Sequence, residues 1–238
     1  NDAGKALTTS AGNILIGKNA GLAKTSGSNA TIIGTSAGRD TASGSNVVLI
    51  GSEAGISNTG NNAIAVGFEA GRVNGIQHTI SIGRQAGYSN TFGDRNVYVG
   101  YRTGYSGSTS EQNTSLGYQA GAFNTGSYNV SIGTDSGRDH TGAKNVVIGA
   151  GAGASMTTSD NNIVIGYDAE PSTATIDNEI TLGDANITSL RIPGLQSGAS
   201  DGDVLTFSSG TGKITLAAAG GGGATSLNGL TDCLVDGS

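Results

Sequence analysis

Tryptophan is absent from this 238-residue sequence, and aromatic residues make up only 5% of it. With apolar residues at 35%, that is thin material for one large globular core. Proline occurs twice beside 42 glycines, and the glycines follow no every-third-residue rule, which excludes collagen. Cys233 is the single cysteine, so no disulfide can form within one chain, and its thiol reads as inert. Basic residues are few: a net charge of -6 and a pI near 4.7 argue against binding a phosphate backbone. No run approaches the ~18 consecutive apolar residues of a membrane span. The chain opens inside a repeat-like phrase at residues 1–17, without initiator methionine or signal peptide, and is expected to be a segment of something longer.

What the sequence does have is a period. The phrase Asn-Val-Val-Leu-Ile-Gly-Ser-Glu-Ala-Gly at residues 46–55 recurs in imperfect copies. Its first glycine returns as Gly17, Gly34, Gly51, Gly67, Gly83, Gly100, Gly117, Gly133, Gly149, Gly166 and Gly183, in steps of 16 or 17 residues. Fixed self-similarity of this length predicts a stacked repeat architecture. Before each marker glycine stands an aliphatic residue, such as Ile16, Ile50, Val99 or Ile148, and two residues earlier a mostly β-branched one, such as Ile14, Val48, Val97 or Val146. A spacing of two with β-branched residues predicts a short strand whose two flanking columns share one face, taken here as the buried one.

The residue between them runs Leu15, Ile32, Leu49, Ala65, Ser81, Tyr98, Ser115, Ser131, Val147, Val164 and Thr181. This middle column points the other way, and its apolar members Leu15, Ile32, Leu49, Val147 and Val164 are candidates for a chain–chain interface. A small residue follows three places past most markers, as Ala20, Ala37 or Ala54, and then a second glycine, as Gly21, Gly38 or Gly55. Small side chains and glycine permit tight corners and positive φ. The rest of each coil is turn chemistry, such as Asn-Thr-Gly at 58–60 and 124–126, and helical periodicity appears nowhere. The predicted fold is all-β: a β-solenoid, or parallel β-roll, of eleven coils over residues 1–183. Residues 184–219 read as a terminal cap followed by a β-hairpin at 204–216, and residues 220–238 as a glycine-rich linker and the start of a further element.

Asparagine opens most strands: Asn13, Asn29, Asn46, Asn62, Asn96, Asn113, Asn129, Asn145, Asn162 and Asn178, with His78 in the one gap. Stacked amides are expected to hydrogen-bond from coil to coil as a structural ladder, since no carboxylates accompany them as metal ligands would. The calcium-binding nine-residue repeat is absent, and His78 and His140 stand far apart, so no metal site and no cofactor are expected. Glu53, Glu69, Asp135 and Asp168 share a column with Asn19, Ser36, Gln85, Arg102 and Gln119, which reads as a solvated edge and not as a catalytic carboxylate group. Gly-x-Gly fragments such as 149–153 precede no helix. No enzyme is expected.

Two buried aliphatics and an alanine are a meagre core for 16 or 17 ordered residues, so a second face buried against another chain is expected, in an oligomer of any order. The phrases Asn-Val-Val-Ile-Gly at 145–149, Gly-Tyr-Gln-Ala-Gly at 117–121 and Asn-Thr-Gly at 124–126 resemble the repeats of bacteriophage tail fibres and related virion fibres. They are also similar to the head repeats of trimeric autotransporter adhesins, whose coils are shorter. The Leu-Arg-Ile-Pro-Gly and Gly-Asp-Val-Leu-Thr phrases at 190–194 and 202–206 resemble tail fibres of marine phages and favour the viral alternative. The resemblance implies a parallel homotrimer of β-rolls on a virion, positioning a receptor-binding tip for host attachment. The alternative it implies is a bacterial surface adhesin or filament. Partners are then the chain itself and a host-surface glycan or protein, with no nucleic acid and no membrane insertion.

Tyrosines just past the glycines either cover backbone from solvent or meet a receptor. Tyr88, Tyr101, Tyr105 and Tyr118 fall in consecutive coils and are expected to form one lateral patch, with flat rings suited to sugars or protein.

Overall fold

The computed structural model describes residues 2–191 except 59, 74–76, 92 and 108, together with the strands at 204–208 and 213–217. It divides into two compact units, Asn1–Asn186 and Ile187–Ser238. The first is a β-solenoid. Its strands are β1 (Ile14–Ile16), β2 (Thr31–Ile33), β3 (Val48–Ile50), β4 (Ile64–Val66), β5 (Ile80–Ile82), β6 (Val97–Val99), β7 (Thr114–Leu116), β8 (Val130–Ile132), β9 (Val146–Ile148), β10 (Ile163–Ile165) and β11 (Ile180–Leu182). They form one parallel sheet in sequence order, and each residue pairs with its repeat equivalent, as Leu15 with Ile32 and Ile32 with Leu49. No helix occurs among the described residues. In the second unit, β12 (Val204–Ser208) and β13 (Lys213–Ala217) pair antiparallel. The expected hairpin turn at 209–212, the linker at 220–238 and Cys233 lie outside the described residues.

Each coil has only one three-residue strand, and the corners do the rest. The marker glycine leaves the strand at φ between 128° and 140° from Gly17 to Gly166. A Cβ on Gly17, Gly51, Gly117 or Gly133 would stand 2.5 Å from the carbonyl oxygen of the next marker glycine, so backbone contact between coils requires glycine there. Two residues later the chain turns through the left-handed region at Asn19, Ser36, Glu53, Glu69, Gln85, Arg102, Gln119, Asp135 and Asp168. For an L-residue that costs roughly 1–2 kcal/mol. Backbone hydrogen bonds between coils offset the cost, as from Glu53 N to Thr35 O at 3.0 Å and from Gly55 N to Ala70 O at 2.9 Å.

These corners fold the chain back beneath the strand and leave room for one inward column, which corrects the expected orientation. The middle column faces into the chain's own coil. Ile32, Leu49, Val147 and Val164 are wholly buried, and Leu15 packs partly buried against the same core. They sit against the corner alanines and second glycines: a Cβ on Gly55 would meet Leu49 Cδ2 at 2.6 Å. Those five residues are therefore core, not a chain–chain interface, because the side chains meant to meet a partner are already covered by their own coil. The flanking aliphatic columns, expected inside, face outward.

The core changes character along the rod. From Ile32 to Ala70 it is aliphatic, and it is so again from Val147 to Ala169. Between them the middle column is Ser81, Tyr98, Ser115 and Ser131, all buried. Tyr98 pairs in register with Ser81 on one side and Ser115 on the other, so one large side chain fills space that two small ones leave. Its hydroxyl bonds to Ser110 and Asn113, and burial pushes its pKa up to about 12.

Asparagines supply the polar part of this core, in two columns where the sequence suggested one. Asn13, Asn96, Asn113, Asn129, Asn145 and Asn162 stand one residue before a strand. From Asn96 to Asn145, each Oδ1 accepts from the backbone N–H of the next asparagine at 2.8 Å. Their side-chain amides donate to turn carbonyls, as Asn113 to Gly126 and Asn129 to Gly142, both at 2.9 Å. Asn29, Asn46, Asn62, His78 and Asn178 stand two residues before a strand, with φ of 55° to 62°. There Asn29 Nδ2 donates to Asn46 Oδ1, and Asn46 Nδ2 to Asn62 Oδ1, at 3.2 Å each. Asparagine suits both columns because it tolerates the left-handed region and carries a donor and an acceptor.

Candidate functional site

Three features of the solenoid are built from side chains that the fold brings together: two aromatic stacks, an outward apolar sheet and a buried polar column.

The four tyrosines pair off into two stacks. Tyr101 and Tyr118 each follow a marker glycine and stack on each other, ring centroids 5.0 Å apart and planes 12° apart. Tyr88 and Tyr105 each follow a second glycine and stack at 4.8 Å and 14°, with Phe123 edge-on to Tyr105 at 6.2 Å. No ring contact joins the two stacks among the described residues. The spacing within a stack is the coil-to-coil rise of about 4.8 Å, so identical positions in successive coils meet face to face. Inside each stack the ring faces are used on each other. Tyr118, 49% exposed, ends its stack.

Arginines, which sequence reasoning left out of this patch, continue the stacks. The Arg84 guanidinium carbon lies 5.6 Å from the Phe68 ring centre and 5.8 Å from that of Tyr101. Arg102 lies 4.2 Å over Tyr105, and Arg72 lies 5.4 Å over Tyr88. Arg72 also stands 3.5 Å from Glu53 and 3.4 Å from Glu69, whose other oxygen accepts from Gln85 Nε2 at 2.7 Å. The signal was present in the sequence: Arg84 occupies the column of Phe68, Tyr101 and Tyr118 at the repeat spacing.

The outward sheet is the larger feature. Two outward residues on each of eleven strands give 22 positions, and all but Thr31 and Thr114 are isoleucine, valine or leucine. Several stand well exposed, including Ile14 and Ile16, Leu116, and Ile180 and Leu182. Ten steps of about 4.8 Å by about 10 Å across give a flat strip on the order of 500 Å². A patch of that size, interrupted only at Thr31 and Thr114, is as large as the largest apolar patch of a typical monomer, and such patches are often functional.

The third feature is internal. Three residues past six of the second glycines, Lys24, Thr41, Asn58, Asn90, Asn124 and His140 are buried. Lys24 Nζ donates to the Gly44 carbonyl at 2.6 Å, and burial draws its pKa below the ordinary lysine value. His140 lies with Nε2 3.0 Å from Asn145 Nδ2. Burial pushes its pKa down to about 4, against smaller upward effects of the Gly137 carbonyl and Asp160. Both groups are engaged inside the coil, Lys24 with a backbone carbonyl and His140 beside the Asn145 amide.

The acids of the expected solvated edge sit on the corner turns. Glu53 and Glu69 share Arg72, and Asp135 lies 3.7 Å from Arg138. Among the described residues, no group of three or more histidines, cysteines or acids could hold a metal, and no helix is long and apolar enough to cross a membrane. No protein-family model matches the chain, and no curated protein or solved structure does either.

Proposed function

We propose that this chain is the shaft of a viral tail fibre or virion fibre, a structural element that positions a receptor-binding tip for host attachment. In this reading three parallel copies turn their outward isoleucine and valine rows toward a common axis. The observation that carries it is the apolar strip: 20 of its 22 outward side chains are aliphatic on an otherwise modular rod. Burying on the order of 500 Å² per chain at about 25 cal/mol per Å² gives roughly 12 kcal/mol of apolar stabilisation before the costs of association. That offsets the thinness of a core with one inward strand column. The rod itself suits a spacer, because equivalent residues pair coil after coil without a change of register.

The viral assignment rests on the Leu-Arg-Ile-Pro-Gly and Gly-Asp-Val-Leu-Thr phrases and extends the resemblance drawn from sequence. Genes flanking the full-length coding sequence test it. Capsid and baseplate neighbours are the expected result, and an outer-membrane anchor domain in the same gene would make the chain a bacterial surface adhesin.

A further inference from the structure

The chain is acidic overall, yet one stretch of its corners is not. In the column two residues past the marker, Glu69 and Asp135 bracket three consecutive coils that carry Gln85, Arg102 and Gln119 and no acid. Glu69 is already engaged by Arg72 and Gln85. Arg84 and Arg102 stand on these corners, with Asp94 and Glu111 elsewhere in the same coils, and neither arginine forms an ion pair among the described residues, in contrast to Arg39, Arg72, Arg95 and Arg138. Both guanidinium groups are laid over rings, Arg84 beside Tyr101 and Arg102 on Tyr105. Neither guanidinium donates a hydrogen bond among the described residues, and because Arg102 Nε is buried it is the terminal N–H groups of Arg102 that are left to a partner.

Such a fork matches a planar carboxylate, which accepts two parallel N–H bonds. Arg84 and Arg102 lie in successive coils at adjacent corner columns, where Arg102 N donates to Arg84 O at 3.0 Å, and Tyr101 and Tyr118 belong to the same stack as Arg84. A partner that fits is a polymer carrying one carboxylate per unit and many hydroxyls between them. A densely charged phosphate polymer fits worse, since a protein of net charge -6 repels it beyond these few residues. We propose that the corner spanned by Arg84, Arg102, Tyr101 and Tyr118 binds a carboxylated polysaccharide of the uronic-acid class. The guanidinium groups take the carboxylates, and the tyrosine hydroxyls take sugar hydroxyls. This deepens, and rests on, the reading of the chain as part of a host-attaching fibre.

The test uses the whole 238-residue chain, first sized by light scattering so that loss of assembly and loss of binding are separate results. Immobilised oligogalacturonate is the probe, with neutral dextran and inorganic polyphosphate alongside. The expected result is binding to oligogalacturonate that weakens as salt rises from about 50 to about 200 mM and is absent on dextran. The double change Arg84→Gln with Arg102→Gln should weaken it by about tenfold or more. Both substitutions are mild for the coil, because glutamine already occupies the Arg102 column at Gln85 and Gln119, and threonine occupies the Arg84 column at Thr134. Arg84→Lys keeps the charge and loses the fork, and is expected to fall between. Arg39→Gln, removing an arginine already paired with Asp40, should change nothing. An assembled wild-type rod that ignores oligogalacturonate overturns the proposal. So does equal binding to dextran, tighter binding to polyphosphate, or undiminished binding by the double variant.

Discussion

Tyr98 and Gly104 should be energetically coupled, and the size of the coupling follows from the packing. The Tyr98 ring lies across the coil against the second glycine, where a Cβ on Gly104 would meet the ring carbons, with Cζ at 2.6 Å. Gly104 also sits at φ +56°, where an alanine costs roughly 1–2 kcal/mol by itself. Forcing the buried ring from its rotamer adds about 1–3 kcal/mol. Gly104→Ala should therefore cost about 2–5 kcal/mol in the wild-type chain. In a Tyr98→Ala background the ring is gone, and the site resembles the Ala65 coil, where a Cβ on Gly71 would stand 3.2 Å from the nearest atom. There Gly104→Ala should cost only the backbone part. Tyr98→Ala alone should cost about 3–5 kcal/mol, since Ser81 and Ser115 are too small to fill the cavity. Urea unfolding of the four proteins at one concentration, followed by far-UV circular dichroism, reads the cycle. A coupling of about 1–3 kcal/mol is expected. Costs of Gly104→Ala that agree within about 0.5 kcal/mol in the two backgrounds would refute the packing of Tyr98 across the coil.

Acid should weaken the solenoid through His140. Its folded pKa of about 4 lies below the ordinary 6.5, so the unfolded chain takes up the proton first; stability is full above pH ~6.5 and falls as pH drops toward 4, by about 3 kcal/mol at most. His140→Asn copies Asn124 one coil earlier and should remove that slope, which unfolding curves of both proteins from pH 7 to 4 would show as a difference; parallel profiles would mean that the imidazole is not buried neutral. Deleting residues 51–66 removes one 16-residue step and leaves Ile50 joined to Gly67. Small-angle scattering should then find a folded rod about 4.8 Å shorter, and insoluble protein would speak for a unique, non-modular core.

The repeat was legible because the marker glycine is imposed by backbone contact with the next coil, and nothing larger can replace it. Strand positions followed from the same period. The direction of the strand columns was not legible, because an aliphatic residue looks the same whether it meets its own core or a face left outward. Ser81, Ser115 and Ser131 look like surface, yet they are the small neighbours that Tyr98 and the narrow coil require. A clue was available in the corner column: alanine at nearly every coil leaves space for one inward strand residue, not two. The asparagine ladder was visible, but its split into two columns was hidden. A shift of one residue, between Asn29 and Asn46 on one side and Asn96 and Asn113 on the other, decides burial. For the surface, the tyrosines were named, but their mutual stacking and the interleaved Arg84 and Arg102 needed the coil rise to bring residues 16 or 17 apart into contact.

The apolar strip is the centre of the functional reading, and molar mass in solution tests it most directly. Light scattering is to be run on the wild-type chain, on Ile64→Asp with Ile148→Asp in the outward rows, and on Leu49→Asp in the inward column. The wild-type chain is expected at three times its 23.4 kDa mass. The outward pair should give a single chain that keeps its β-sheet circular dichroism. Leu49→Asp should lose that signal, because it buries an unpaired charge inside the coil. A wild-type protein that is monodisperse at 23.4 kDa, its isoleucine and valine rows open to water, would contradict the assembly.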